Sequence, residues 1–354
     1  MTRIGAGAPL VTMIALGACL TACAGDPRSA DSEALIDAVL AADAPGCAAA
    51  AAVDGDVVWS YERGLADVDR SAAIKADTRF NIGSVSKQFT ALSALSLADD
   101  GLIDLDAPVS EYLDGLPAWS DEATVLDLMG HSAGIIDPSH SVEEEVTRDV
   151  LFDDLVTDQT TYRGGDDFLY SNTGYMLLGM IIEEVTGDSL ATWMRTHVFE
   201  PAGVDMAVEG DQGAATESVG YASSTAPFRI AADHATIIGP TGVLATASEL
   251  ARWGDEYRSH TVVSSEALAA AIDRGTPLDD GLVYGPGIFV WPSGLVTHSG
   301  EDDGFTAYFA TDPSTGTTIT LTCNHPVEEQ LAYDLADVWV PVGPVEDPAS
   351  APRR

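Results

Sequence analysis

Ser84 and Lys87 stand three residues apart at the start of a helical stretch, so they share one face within a single turn. A lysine held against a hydroxyl and partly removed from water can lose its proton near neutrality. It can then take the serine's proton and leave a nucleophilic oxygen. The helix N-terminus adds a dipole that favours negative charge there. Lys87 is one of two lysines in a chain whose other cations are arginines. The same spacing also describes a solvated helix-face lysine beside a serine. Tyr170-Ser171-Asn172 supplies a phenol and an amide just before a second helix, and His298-Ser299-Gly300 closes an apolar strand, where glycine admits a close backbone. Taken singly, a half-buried core tyrosine and a capping or surface histidine fit these residues as well.

A second serine competes for the nucleophile's place. Gly130-His131-Ser132-Ala133-Gly134 matches G-x-S-x-G, the strand-to-helix elbow of another hydrolase class. Such an elbow needs a strand before it and a helix after it, yet Ile135-Ile136-Asp137-Pro138 interrupts any helix at once. Ser84, by contrast, has strand residues before it and a helix after it.

The elements that must position these groups can be read from periodicity. A helix after Asp31 carries Leu35 and Val39; Cys47 to Val53 is an apolar run, and Asp54-Gly55-Asp56 turns the chain into Val57-Val58-Trp59-Ser60-Tyr61, a β-hairpin. Thr78 to Ile82 reads as a short strand running into Ser84. From there to Asp100 the pattern is helical, with Phe89, Leu92, Leu95 and Ser96 at spacings of three and four and Gly101 as the stop. Asn172 precedes a helix with Leu177, Leu178, Ile181, Ile182 and Val185 on one face, stopped at Gly187, and Asp188 starts another. Strand signals return at Gly287 to Trp291, Leu295 to His298, Thr306 to Thr311 and Thr317 to Thr322. A hairpin first, helices in the middle and a meander last predict one sheet shared by both ends of the chain with a helical lobe inserted, an α+β fold.

The chain has 354 residues, 46% of them hydrophobic and 20% charged, a globular balance with a substantial core. Its 16 Lys and Arg against 56 Asp and Glu give a formal charge of -40, which repels a nucleic-acid backbone and excludes that partner. The excess acid fits either a generic secreted surface or adaptation to salt, where screening tolerates it. No HExxH, EF-hand or glycine-rich phosphate loop occurs, so no metal or nucleotide cofactor is implied.

Residues 1–20 carry one cation, Arg3, then an apolar stretch broken by Gly5, Gly7, Pro9 and Gly17, the profile of a signal peptide. Leu20-Thr21-Ala22-Cys23 resembles a bacterial lipobox, which implies a diacylated Cys23 as the mature N-terminus and a two-chain membrane anchor. An ordinary cleavage site beside an incidental cysteine is the alternative. On the lipobox reading residues 1–22 are the leader, 23–32 a tether, 33–340 the folded domain and the Pro-rich 341–354 a loose tail. The domain divides into an α/β lobe, 33–83 with about 245–340, and a helical lobe, about 84–244. The expected location is outside the cell or in the periplasm, on the membrane; oligomeric state is left open.

The order S-x-x-K, Y-x-N, H-x-G, at Ser84, Tyr170 and His298, resembles the three signatures of class C β-lactamase-like serine hydrolases. That family includes D-alanyl-D-alanine carboxypeptidases, esterases and D-residue aminopeptidases. Further similar segments are 79–84, 101–109, 128–132, 172–179 and 242–251, so the likeness runs from about Leu35 to about Asn324. It implies an antiparallel five-stranded sheet flanked by helices. It also implies Ser84 as the acylated nucleophile, Lys87 and Tyr170 as coupled base and acid, and Asn172 holding Lys87 and a substrate amide. His298, Ser299 and Gly300 would line the opposite wall, and the backbone N–H groups of Ser84 and Glu301 would form the oxyanion hole. The first and last strands become neighbours, which makes a Cys47–Cys323 disulfide possible, two buried thiols being the alternative.

Two positions depart from the family pattern. His298 stands where β-lactamases of this type carry lysine, so a permanent cation for a substrate carboxylate is missing. The loop usually reading H-T-S-G is His131-Ser132-Ala133-Gly134, expected to be a tolerated surface change. The implied activity is hydrolysis of a D-alanyl cell-wall peptide or a β-lactam-related amide through a covalent intermediate, with an esterase or a non-catalytic wall-peptide-binding lipoprotein as alternatives.

Overall fold

The computed structural model describes residues 26–138, 147–157, 162, 167–211, 214–231 and 237–340. The proposed leader, Cys23 and the 341–354 tail therefore lie outside the described residues, whereas 27–32 of the expected 23–32 tether are the first turns of a helix that starts at Pro27, with Ser32 buried and accepting from Trp339 Nε1 at 2.9 Å. The main sheet is antiparallel. Its strands are β1 (Cys47–Val53), β2 (Asp56–Arg63), β3 (Thr276–Pro277), β4 (Val283–Tyr284), β5 (Phe289–Val290), β6 (Val296–Asp302), β7 (Phe305–Asp312) and β8 (Thr317–Cys323). Their order is β2-β1-β8-β7-β6-β5-β4-β3. The five long strands are the hairpin and the meander read from sequence. Three two-residue strands extend the sheet beyond them; runs that short show no alternation to read. The expected strand at Gly287 to Trp291 shrinks to β5, and the strand bearing His298 continues through Gly300 to Asp302 rather than closing there.

Strand β1 explains how the two ends of the chain close on one sheet. Its residues 48–52 are all alanine and all buried, on both faces. Ala49 and Ala51 face a cluster with Ile36 and Leu40 of α1 (Pro27–Val39) and its C-cap, and with Leu331, Leu335 and Trp339 near the C-terminus. Ala48, Ala50 and Ala52 face Phe80, Ala247 and Ala251. Methyl side chains on both faces of a central strand let helices approach from either side without voids. Cys47 and Cys323, directly paired in register, are joined by a disulfide.

The largest core cluster lies over the other part of the sheet. It combines α2 (Lys87–Asp99), α3 (Val125–Gly130) and α4 (Asn172–Thr186) with Val296, Ala307 and Phe309 of the sheet. The apolar spacing of α2 predicts one buried face, but the helix is buried on most sides, Gln88, Thr90 and Ser93 included; Phe89 packs edge-on against Phe199 at 5.4 Å. Helix α4 begins at Asn172 itself, with Ser171 as its N-cap through the Gly174 N–H, so the cap lies one residue earlier than the sequence signal placed it.

Candidate active site

The expected strand before Ser84 is reduced to Phe80–Asn81, paired with Val243–Ala245 in a small separate sheet. A 3-10 turn, Gly83–Ser86, follows and leads directly into α2. With three residues per turn, side chains at i and i+3 eclipse, which brings Ser84 and Lys87 one above the other. Lys87 Nζ lies 2.9 Å from Ser84 Oγ. It also donates to Asn172 Oδ1 at 2.7 Å and to the Pro240 carbonyl at 3.2 Å. Lys87 is fully buried, not a solvated helix-face lysine.

Burial holds the Lys87 pKa down to about 7, against an upward pull from the charges of Asp137 and Asp302. Three N–H bonds therefore meet three oxygens while the amine is charged. Once it is neutral, only one of these three oxygens has a proton to give its lone pair, since Asn172 Oδ1 and Pro240 O only accept whereas the Ser84 hydroxyl also donates. The geometry thus aims the lone pair at Ser84. Ser84 itself is half-buried and so open to a reactant on one side.

Tyr170 comes to the same place. The Lys87 ammonium lies 4.7 Å from the centre of its ring, and its ring lies 6.5 Å from that of His298. His298 is buried, with Nδ1 bonded to the Ser299 carbonyl and Nε2 3.3 Å from the Tyr284 hydroxyl. Burial pushes its pKa down to about 3, helped by the nearby charge of Lys87. His298 is neutral at pH 7 and supplies no cation to a carboxylate, as its residue type led one to expect.

Glycines set the spacing between the nucleophile turn and β6. Gly83 has φ +52, and a Cβ there would lie 2.6 Å from Glu301 N; a Cβ on Gly300 would lie 2.1 Å from the Ile82 carbonyl and 2.9 Å from Ser84 N. The Ser84 and Glu301 backbones are thus brought together at one edge of the site. Asn81 ties the same corner, accepting from Gly83 N at 2.8 Å and donating to Asp302 Oδ2 at 3.0 Å. The Asp302 carboxyl is raised to about 6, mainly by burial and then by Asp303.

The 130–134 loop is not the surface change expected of it. His131, Ala133 and Gly134 are buried, and the loop packs under Tyr170. The His131 ring lies 4.2 Å from that of Tyr170, with Tyr284 and Tyr175 at 4.6 and 5.0 Å. Its Nδ1 accepts the Ser171 N–H at 3.1 Å, and its carbonyl accepts the Leu169 N–H at 2.7 Å. Ser132, the rival serine, follows helix α3 rather than a strand, and residues 133–138 after it form no helix; its hydroxyl donates to Asp127 Oδ1 at 2.8 Å. That is a structural bond.

Sequence reasoning missed His131, Asp137, Tyr284 and Asp302. Asp137 stands out in the structure: it accepts from Ser171 Oγ and from Asn172 and Thr173 N–H, all within 2.9 Å. In the sequence it reads only as part of a helix-breaking Asp-Pro, 35 residues from Asn172. No spacing rule connects the two. Among the described residues no group of His, Cys, Asp and Glu is arranged to hold a metal ion.

Known proteins share this fold. Penicillin-binding protein 4* of Bacillus subtilis (strain 168) is 31% identical over 166 residues, 44% of this chain and 36% of that protein. Protein flp of Staphylococcus aureus (strain MW2) is 26% identical over 326 residues, 83% of this chain and 63% of that protein. The chain thus covers less than two thirds of the length of these relatives. The structure of D-amino acid amidase from Ochrobactrum anthropi SV3 with L-phenylalanine amide superposes with a TM-score of 0.77 at 22% identity, covering 88% of this chain and 97% of that one. The octameric penicillin-binding protein homologue from Pyrococcus abyssi gives 0.72 at 24% identity, covering 88% and 74%. At these identities the superpositions establish the fold. Residues 33–340 match the family model described as Beta-lactamase, and the chain therefore belongs to the beta-lactamase family, with its transpeptidase-like serine-hydrolase fold.

Proposed function

We propose that this chain is an exported serine acyl hydrolase that forms a covalent acyl-enzyme on Ser84 and acts on a D-alanyl peptide or a related amide, in the manner of a D,D-carboxypeptidase. The observation that carries the reading is the buried Lys87 amine, 2.9 Å from Ser84 Oγ and with its pKa held to about 7. Neutral Lys87 takes the Ser84 proton as Oγ bonds to the substrate carbonyl carbon. The carbonyl π electrons move to its oxygen, which the Ser84 and Glu301 N–H groups receive. Collapse restores the carbonyl and breaks the bond to the leaving amine, which picks up the proton through Lys87 and Tyr170. Water then attacks the ester, gives its proton to the same pair, and releases the acid and a reprotonated Ser84.

A neutral His298 favours a second reading, an esterase, because no cation beside it demands a substrate carboxylate. Membrane anchoring through Cys23 rests on the lipobox resemblance; among the described residues no helix is long and apolar enough to cross a membrane.

Intact mass after incubation with a fluorophosphonate and, separately, with a penicillin tests the reading; a relative's name, penicillin-binding protein, motivates the second probe. The adduct is expected in wild type and Ser132→Ala and absent in Ser84→Ala. A penicillin adduct beside it supports the peptidase, and ester turnover without one supports the esterase. An adduct lost only in Ser132→Ala overturns the assignment. Absence of any adduct points to the binding protein.

A further inference from the structure

Ser84 and Lys87 belong to one continuous turn, but Asn172 reaches Lys87 from another part of the chain, and its position depends on how α4 begins. Three groups at that start converge on one side chain. The Ser171 hydroxyl donates to Asp137 Oδ1 at 2.9 Å, Thr173 N–H to the same oxygen at 2.8 Å, and Asn172 N–H to Oδ2 at 2.9 Å. Two of these are orphan donors of the first helical turn, for which a carboxylate is a strong acceptor. Ser171 Oγ in turn accepts the Gly174 N–H at 3.0 Å. Asn172 is the residue between the clamped Ser171 and Thr173. Its amide oxygen meets Lys87 Nζ.

Resting on the acyl-hydrolase reading, we infer that Asp137 is a positioning residue of this site: its carboxylate fixes the start of α4 so that Asn172 meets Lys87, and it holds one negative charge near the Lys87 amine. The charge is felt at Lys87, where it favours the ammonium. The other groups facing Lys87 are Ser84 from its own turn, Tyr170, Asn172 and Tyr175 from the α4 region, the Pro240 carbonyl, His298 and Asp302 from β6, and His131 from the 130–134 loop. Burial keeps both histidines neutral near pH 7, which leaves Asp137 and Asp302 as the charges that oppose loss of the lysine proton.

The test is the rate of fluorophosphonate labelling of Ser84 as a function of pH. Asp137→Asn removes the charge and one acceptor. Its acid limb is expected to move to lower pH by roughly half a unit, with a plateau lowered about tenfold. Asp137→Glu restores the charge on a longer arm and is expected to return the limb to the wild-type pH while the plateau stays reduced. A helix cap with no further role would lower the melting temperature and leave the limb where it was; that result overturns the inference. If Asp137→Asn does not fold, Asp137→Ser, which keeps one capping oxygen without the charge, is judged by the same limb. No labelling of wild type at any pH would instead sink the acyl-hydrolase reading itself.

Discussion

A Cβ on Gly83 would lie 2.6 Å from the backbone nitrogen of Glu301, so the turn that presents Ser84 and the strand beyond Gly300 touch backbone to backbone. The contact joins two segments far apart in sequence and, on the proposed reading, sets the spacing of the two backbone N–H groups offered to the oxyanion. Gly83→Ala is expected to destabilise the fold by about 2–5 kcal/mol, the sum of left-handed strain and a forced shift of Glu301, and to slow labelling of Ser84. Gly101 has φ +72, and a methyl group there would meet nothing within 4 Å, so Gly101→Ala carries the strain alone. Urea melts and labelling rates of the two variants compare them; equal effects would show that the Glu301 contact is unimportant.

The buried amine of Lys87 predicts a stability effect with a definite sign. Its folded pKa of about 7 lies below the ordinary 10.5, so between these values the unfolded chain holds a proton that the folded chain does not. Stability from this group therefore rises with pH across that window, and the cost of burying it is complete below pH 7. Lys87→Met should abolish labelling yet raise the melting temperature, by more at about pH 6 than at about pH 10. The same gain at both pH values would mean that Lys87 is not desolvated.

His298 predicts the opposite end of the scale. With its folded pKa near 3 and the ordinary value 6.5, the unfolded chain takes a proton across that interval that the folded chain refuses. Its contribution to stability falls as pH drops from 6.5 toward 3. His298→Gln should melt with a shallower loss over that range. Its labelling profile should keep an acid limb near pH 7, because that limb belongs to Lys87. A limb that disappears with the histidine would assign the titration to His298 instead.

The Cys47–Cys323 bridge links the first and last long strands, 276 residues apart in sequence. Closing so long a loop restricts the unfolded chain, and removal of such a bridge typically costs about 2–5 kcal/mol. Reduction should slow migration on a denaturing gel and lower the melting temperature of the wild type, and leave a Cys47→Ala, Cys323→Ala variant unmoved in both assays. Identical mobility with and without reductant would show the thiols to be free.

What the sequence determined by itself was chemistry carried by local spacing and periodicity. Ser84 and Lys87 meet because they are three residues apart in a tight turn, the five long strands follow from alternation and apolar runs, and the lack of a permanent cation at 298 follows from its residue type. The tertiary structure alone decided what acts across distance. Asp137 reads as a helix breaker until Asn172 is folded against it, and the loop of His131 reads as surface until Tyr170 lies on its ring. The Lys87 pKa is a property of burial and of charges on other segments, so no window of sequence contains it. Short strands such as Val283–Tyr284 likewise exist only because a neighbouring strand supplies their hydrogen bonds. Local pattern fixes which groups are available; desolvation and long-range contact fix what those groups can do.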